Sequence, residues 1–214
     1  MEMPSKLENE LKHFWEWIGV STREYELLGT MNGLEEFMYP RWDELLWLTY
    51  RAVEDLEKGE DSNIALILEV MALDNEGETI LIECENKVSN SSLEILIKSG
   101  TSFPFSNTRW QIAELIGRKK NKTWEKYLLK LFEDDDKYVQ RRSLLSLVQI
   151  NPKLASQLAL QKLDDDDEMM RLNAIRILKE TSSIFLKDAL KKVEGDPSQL
   201  VLDEVDIIKK EKRH

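Results

Sequence analysis

Apolar residues recur along this chain with the spacing of helices rather than of strands. Runs that place them at i, i+3, i+4 and i+7, one face of an α-helix, predict thirteen helices. These fall near residues 4–18, 21–29, 40–58, 62–74, 77–87, 90–99, 108–118, 123–133, 137–149, 152–163, 167–180, 183–194 and 197–211. Only Thr79–Ile82 would suit a strand as well. The eight glycines, Gly29 and Gly117 among them, fall where a periodic run stops, as expected of residues that close helices in the left-handed conformation. The five prolines, Pro4, Pro40, Pro104, Pro152 and Pro197, fall at or just before the starts of runs. Asn151-Pro152 and Asp196-Pro197 each pair an N-cap residue with a first-turn proline. Hairpin signals are nearly absent, and Asn32-Gly33 lies between helical patterns. The expected fold is therefore all-α, with short connections that make successive helices antiparallel.

The second half of the chain repeats itself every 31 residues. Arg109, Gln140 and Arg171 align, as do Ile112, Ser143 and Ala174, and then Ile116, Leu147 and Leu178. The helix that follows repeats too, with Trp124 matching Ala155 and Leu128 matching Ala159. A one-residue deletion brings in Phe185, Ala189 and Leu190 as the third copy. One helical hairpin cannot bury its own apolar face, so three copies predict a stacked solenoid. Residues 197–211, with Leu200, Val201, Val205 and Ile208 as an apolar stripe, read as a helix capping the stack.

The best copy, Asp167 to Leu178, sets Met170, Arg171, Ala174 and Leu178 in a pattern that resembles the HEAT-like repeat, D-x-x-V-R-x-x-A-x-x-A-L. The middle copy keeps Asp136, Val139 and Leu147 but carries Gln140 at the arginine position; the first keeps Arg109 and has Phe105 where the aspartate belongs. The resemblance covers residues 105–196 and implies a right-handed α-solenoid of antiparallel hairpins. The chain then divides into an acidic, Trp-rich helical region at 1–104, three repeats at 105–196, and a capping helix with a basic tail at 197–214. Arrays of this kind serve many binding roles, so the resemblance speaks to fold rather than to a particular activity. It also implies that the second helices line a concave groove.

Charge sharpens the division. The formal net charge is −11 over 214 residues, yet residues 1–104 hold 22 acidic and 8 basic side chains while residues 105–214 sum to +3. Within the repeats, Asp134 to Asp136 fill one inter-repeat turn, Asp164 to Glu168 the next, and Asp196 ends the third. Helix capping and the macrodipole account for aspartates in such places. Stacked turns would also form an acidic ridge, which makes Asp134, Asp135, Asp165 and Asp166 candidates for partner binding. The intra-repeat turn Arg118 to Lys122 is basic. On the second helices Lys126, Lys130, Gln157, Gln161, Lys187 and Lys191 would form a polar, locally basic groove. Arg109 and Arg171 suit bridges between neighbouring repeats. The aspartate runs lack the alternating ligands and turn glycine of a calcium loop.

Four of the six tryptophans lie in the first 50 residues. Trp15 and Trp17 are two apart and cannot share a narrow helix face, so one is expected in the core and the other partly exposed, and both are candidates for an N-terminal partner-binding surface. Trp42 and Trp47, beside Leu45, Leu46 and Leu48, are expected in the core. Catalytic chemistry finds little footing. The single Cys84, flanked by Glu83 and Glu85, excludes an internal disulfide and a cysteine-rich zinc site. His13 and His214 are the only histidines. Gly117 to Thr123 lacks the second glycine, the Gly-Lys-Thr ending and the preceding strand of a phosphate loop. No cofactor or metal is expected. The polar start does not read as a secretory signal, and Ile64 to Leu73, interrupted by Glu69, is too short to span a bilayer; a cytoplasmic protein is expected.

The functional expectation is a non-enzymatic protein-binding module with a basic partner. Small acidic helical-repeat proteins are similar to some bacterial immunity proteins, which sequester basic toxin domains. The rival expectation is a DNA-binding enzyme, because HEAT-like arrays also resemble alkylpurine DNA glycosylases. Lys126, Lys130, Lys187 and Lys191 would then contact phosphate, although the acidic half would repel a polyanion.

Overall fold

A computed structural model of the chain describes residues 5–28 and 38–211. Pro4, Gly29, Asn32, Gly33 and His214 lie outside the described residues. Among the described residues there are thirteen α-helices: α1 (Lys6–Ile18), α2 (Thr22–Leu28), α3 (Trp42–Glu57), α4 (Ile64–Leu73), α5 (Thr79–Lys87), α6 (Asn90–Gly100), α7 (Ser106–Lys119), α8 (Glu125–Phe132), α9 (Lys137–Ile150), α10 (Pro152–Gln161), α11 (Glu168–Glu180), α12 (Leu186–Lys192) and α13 (Gln199–Glu211). Among the described residues there is no strand. The ambiguous Thr79–Ile82 stretch opens α5, which buries Ile80, Leu81 and Cys84 on one helical face.

The chain forms two compact units, residues 1–115 and 116–214. In the first, α4 is the central helix and packs against α1, α3, α5 and α6. Its burial on most sides explains why Ile64 to Leu73 is apolar except for Glu69 instead of regularly amphipathic. Ile67, Leu68, Val70, Met71 and Leu73 are all enclosed. Asp74, just past the end of α4, accepts hydrogen bonds from Thr79 Oγ1 (2.5 Å) and the Ile80 amide (2.8 Å). It therefore supplies the cap that Glu78, at the N-cap position of α5, does not.

In the second unit, α9 packs on α8, α10 and α11, and α11 in turn on α12 and α13. The 31-residue register holds in three dimensions. Val139, Met170 and Val201 are buried at one position of the first helices, and Ser146, Ile177 and Ile208 at another. α13 is thus the first helix of a fourth copy, in register with the others. Leu200, expected in its inward stripe, is instead 51% exposed.

Three further expectations are corrected. Phe185 occupies the position just before α12 and is 45% exposed, while Leu186 turns inward with Ala189 and Leu190. Pro197 precedes α13, which starts at Gln199, because Asp196 accepts from the Ser198 amide in the same turn that Asp134 and Asp165 form, which places the helix start three residues on. Among the glycines, Gly19 closes α1 in the left-handed conformation (φ 68°) as expected. Gly117, by contrast, lies inside α7. A Cβ there would come within 2.8 Å of Ser146 Cβ, so this glycine permits a close approach to α9 rather than ending a helix.

Candidate functional site

The inter-repeat turns are built from one hydrogen-bond pattern used repeatedly. Asp134, Asp165 and Asp196 each accept from the amide two residues on, at 3.0, 3.1 and 2.9 Å. Arg109, Gln140 and Arg171 each donate to a backbone carbonyl six residues back, at 3.0, 2.5 and 2.8 Å. Asp136 and Asp167 cap α9 and α11 by accepting from first-turn amides.

Charge then ties one copy to the next. Arg171 makes a two-pronged contact with Asp196, Nε to Oδ2 at 2.7 Å and Nη2 to Oδ1 at 2.8 Å, the planar geometry that guanidinium and carboxylate share. Gln140 cannot do this, and Lys162 takes over: its Nζ lies 3.2 Å from Gln140 Oε1 and 3.0 Å from Asp165 Oδ2. Lys137 bonds Asp165 and Asp166, both at 2.8 Å, and Arg141 pairs with Asp167. Burial works against ionisation of Asp165, but hydrogen bonds from Lys137, the Asp167 amide and Lys162 overcome it and hold the carboxyl well below the usual range. The Arg171 bond does the same for Asp196.

Of the four aspartates singled out for a partner, Asp134 and Asp165 are therefore engaged in shaping the turns, while Asp135 and Asp166 face solvent. Beside them runs a feature the sequence reading missed. Tyr138, Met169 and Leu200 occupy the second position of α9, α11 and α13, spaced by 31, and are 42%, 38% and 51% exposed. Their signal was the repeat itself: large side chains recur two residues after the N-cap position, outside the i, i+3, i+4 core positions.

The proposed groove residues lie on the second helices. Lys126, Lys130, Gln157, Gln161, Lys187 and Lys191 are all exposed, on α8, α10 and α12. The middle repeat contributes only neutral amides, which interrupts the basic character of this face. Lys192, next along α12, pairs with Asp164 of the preceding turn.

In the first unit, Trp15 is half-buried and donates from Nε1 to Glu69 Oε1 at 2.6 Å, with the Tyr25 ring edge-on at 5.6 Å. Trp17 lies against Phe14 and Tyr39 with more than a third of its surface in solvent. Trp42 is half-buried near Phe14, whereas Trp47 is 57% exposed. The reason is helical phase: α3 turns Leu45, Thr49, Ala52 and Leu56 inward, which leaves position 47 outside. Trp15, Leu11, Leu66 and Glu69 line an open groove of about 680 Å³, with Glu8, Lys12 and Glu16 also along it.

His13 lies 3.9 Å from Glu10, whose buried carboxylate accepts from Tyr39 Oη (2.7 Å) and pairs with Arg41 (2.5 Å). These contacts tie α1 to the segment that leads into α3. Burial, with Glu83 adding to it, pushes the Cys84 thiol up to about 12, so it stays neutral at physiological pH. Among the described residues no three His, Cys, Asp or Glu side chains are grouped to hold a metal, and no helix is long and apolar enough to cross a membrane.

The profile of HEAT repeats matches residues 93–179. The match starts on α6, earlier than Phe105, and takes in α6 through α11 up to Lys179. A search of curated proteins finds no match to the chain.

Proposed function

We propose that this chain, a HEAT-repeat protein over residues 93–179, is a non-enzymatic module that binds a basic protein through the edge of its repeat array. HEAT repeats are helical modules suited to protein interaction, and the finer reading concerns the partner. The observation that carries it is the row of Tyr138, Met169 and Leu200 beside Asp135 and Asp166. Apolar and aromatic surface gives binding energy, while neighbouring carboxylates steer and select a cationic partner. An immunity-type inhibitor that sequesters a basic toxin domain is one form of this reading.

The test is affinity capture from the native host with the full chain, in parallel with a triple variant, Asp135→Asn, Asp166→Asn and Met169→Ser. The expected result is a stoichiometric, positively charged protein that the variant releases, with affinity falling as salt rises. Recovery of no stoichiometric protein, or binding of duplex DNA at low salt in its place, would overturn the proposal.

A further inference from the structure

We propose that the groove beside Trp15 is a receptor for one cationic side chain, preferentially an arginine presented by a basic protein, with Glu69 as its anchoring carboxylate. The site lies in the first unit and uses none of the residues of the repeat edge. It shares with the proposed function only the expectation of a basic partner.

Glu69 is the one charged residue in Ile64–Leu73, on the central helix of its unit. A carboxylate placed there costs free energy unless something compensates it. Among the described residues, the two fully buried carboxylates of this unit are compensated, whereas Glu69 is half-buried. Glu10 has Arg41 and Tyr39, and Asp74 is occupied in capping α5. Among the described residues, Glu69 has a single hydrogen bond, from the neutral indole of Trp15, and no cation pairs with it. A carboxylate can accept about four hydrogen bonds, so most of its capacity is unused.

The surroundings suit a guanidinium on an apolar stem. Trp15, Leu11 and Leu66 offer apolar walls, and the indole is the ring on which a cation is best held. Arginine fits better than lysine because its planar group can stack on the indole while its fork meets the carboxylate. Glu8 and Glu16 add negative charge along the groove; Lys12, its one cation, is 3.8 Å from Glu16 and pairs with it. Burial raises the Glu69 carboxyl above its ordinary range, with the Trp15 bond only partly opposing this, as expected of a charge that lacks its counterion.

The probe is N-acetyl-arginine amide, compared with N-acetyl-citrulline amide, which keeps the shape and removes the charge. The readout is the Trp15 indole N–H resonance of the full chain, assigned by its loss in Trp15→Phe. The arginine compound should shift this resonance saturably, with a dissociation constant on the order of millimolar, and the citrulline compound should leave it in place. Glu69→Gln, close to isosteric, should weaken arginine binding by about tenfold or more. An equal shift with citrulline, or no saturable shift with arginine, overturns the site. The repeat-edge variants should bind the arginine compound as wild type does, so failure here and failure of the protein-binding reading are separable.

Discussion

Arg171 shows how much one side chain can hold in this architecture. It reaches back to the Asp165 carbonyl and forward to the Asp196 carboxylate while largely enclosed, so it joins the inter-repeat turn before its helix to the next inter-repeat turn, past α12. Arg171→Ala leaves Asp196 buried without its cation and should cost about 3 kcal/mol in urea unfolding; Arg171→Lys should recover only part, because an ammonium cannot make the fork. Carboxyls of opposite tendency give the stability a two-sided pH profile. Asp165 and Asp196 are lowered in the fold, so their contribution is present above the ordinary carboxylate value and is lost as pH falls through and below about 4. Glu69 is raised, so the folded state holds its proton more tightly, and stability declines as pH climbs from the ordinary value through the raised one. Glu69→Gln should therefore be more stable than wild type above that window and level with it below, as measured by urea midpoints across pH. Residue roles were only partly legible in the sequence. The capping aspartates and the bridging Arg171 could be read from spacing and charge. The division of Asp134 and Asp165 from Asp135 and Asp166 could not, because neighbouring residues in a turn point in directions that only the folded backbone decides.

At the scale of elements, helix positions were legible because apolar period, capping residue and turn all agree along most of the chain. What the pattern left open was the environment of each helix. The apolar composition of Ile64–Leu73 marks a buried helix but not which helices enclose it, and Trp47 looks like core until the phase of α3 is known. Gly117 is the clearest case of punctuation misread. Alanine there would gain up to about 1 kcal/mol in helix propensity, but the added Cβ would press on Ser146 at 2.8 Å, and overpacking costs about 1–3 kcal/mol. Gly117→Ala should therefore lower the unfolding free energy, while the same change at the exposed Gly195, which has nothing within 4 Å of an added Cβ, should leave it within about 0.5 kcal/mol of wild type. Removing the cap of α9 or α11 by Asp136→Ala or Asp167→Ala should cost about 1 kcal/mol each, with Asp167 the dearer because Arg141 also pairs with it.

At the scale of the molecule, the 31-residue register was legible as a repeat, and its continuation into α13 was not, since that helix reads as a generic amphipathic end until its buried positions are matched one by one with those of α11. The division of charge between the two halves was legible as arithmetic; the surfaces it creates needed coordinates. Because Asp135 and Asp166 lie at the solvent boundary, their attraction for a basic partner should weaken steeply between about 0.05 and 0.5 M salt, while the apolar row should keep a residual affinity, a split that titration calorimetry across salt would show. The same row has a metric consequence. Packed helices stand about 8–10 Å apart, so Tyr138, Met169 and Leu200, carried on the first helices of successive copies, α9, α11 and α13, which pack on one another in turn, mark the edge like graduations on a ruler. A polyproline-II chain brings every third residue to the same side after about 9.3 Å, so a partner segment laid along these graduations in that conformation meets them tooth for tooth, with an apolar residue at every third place.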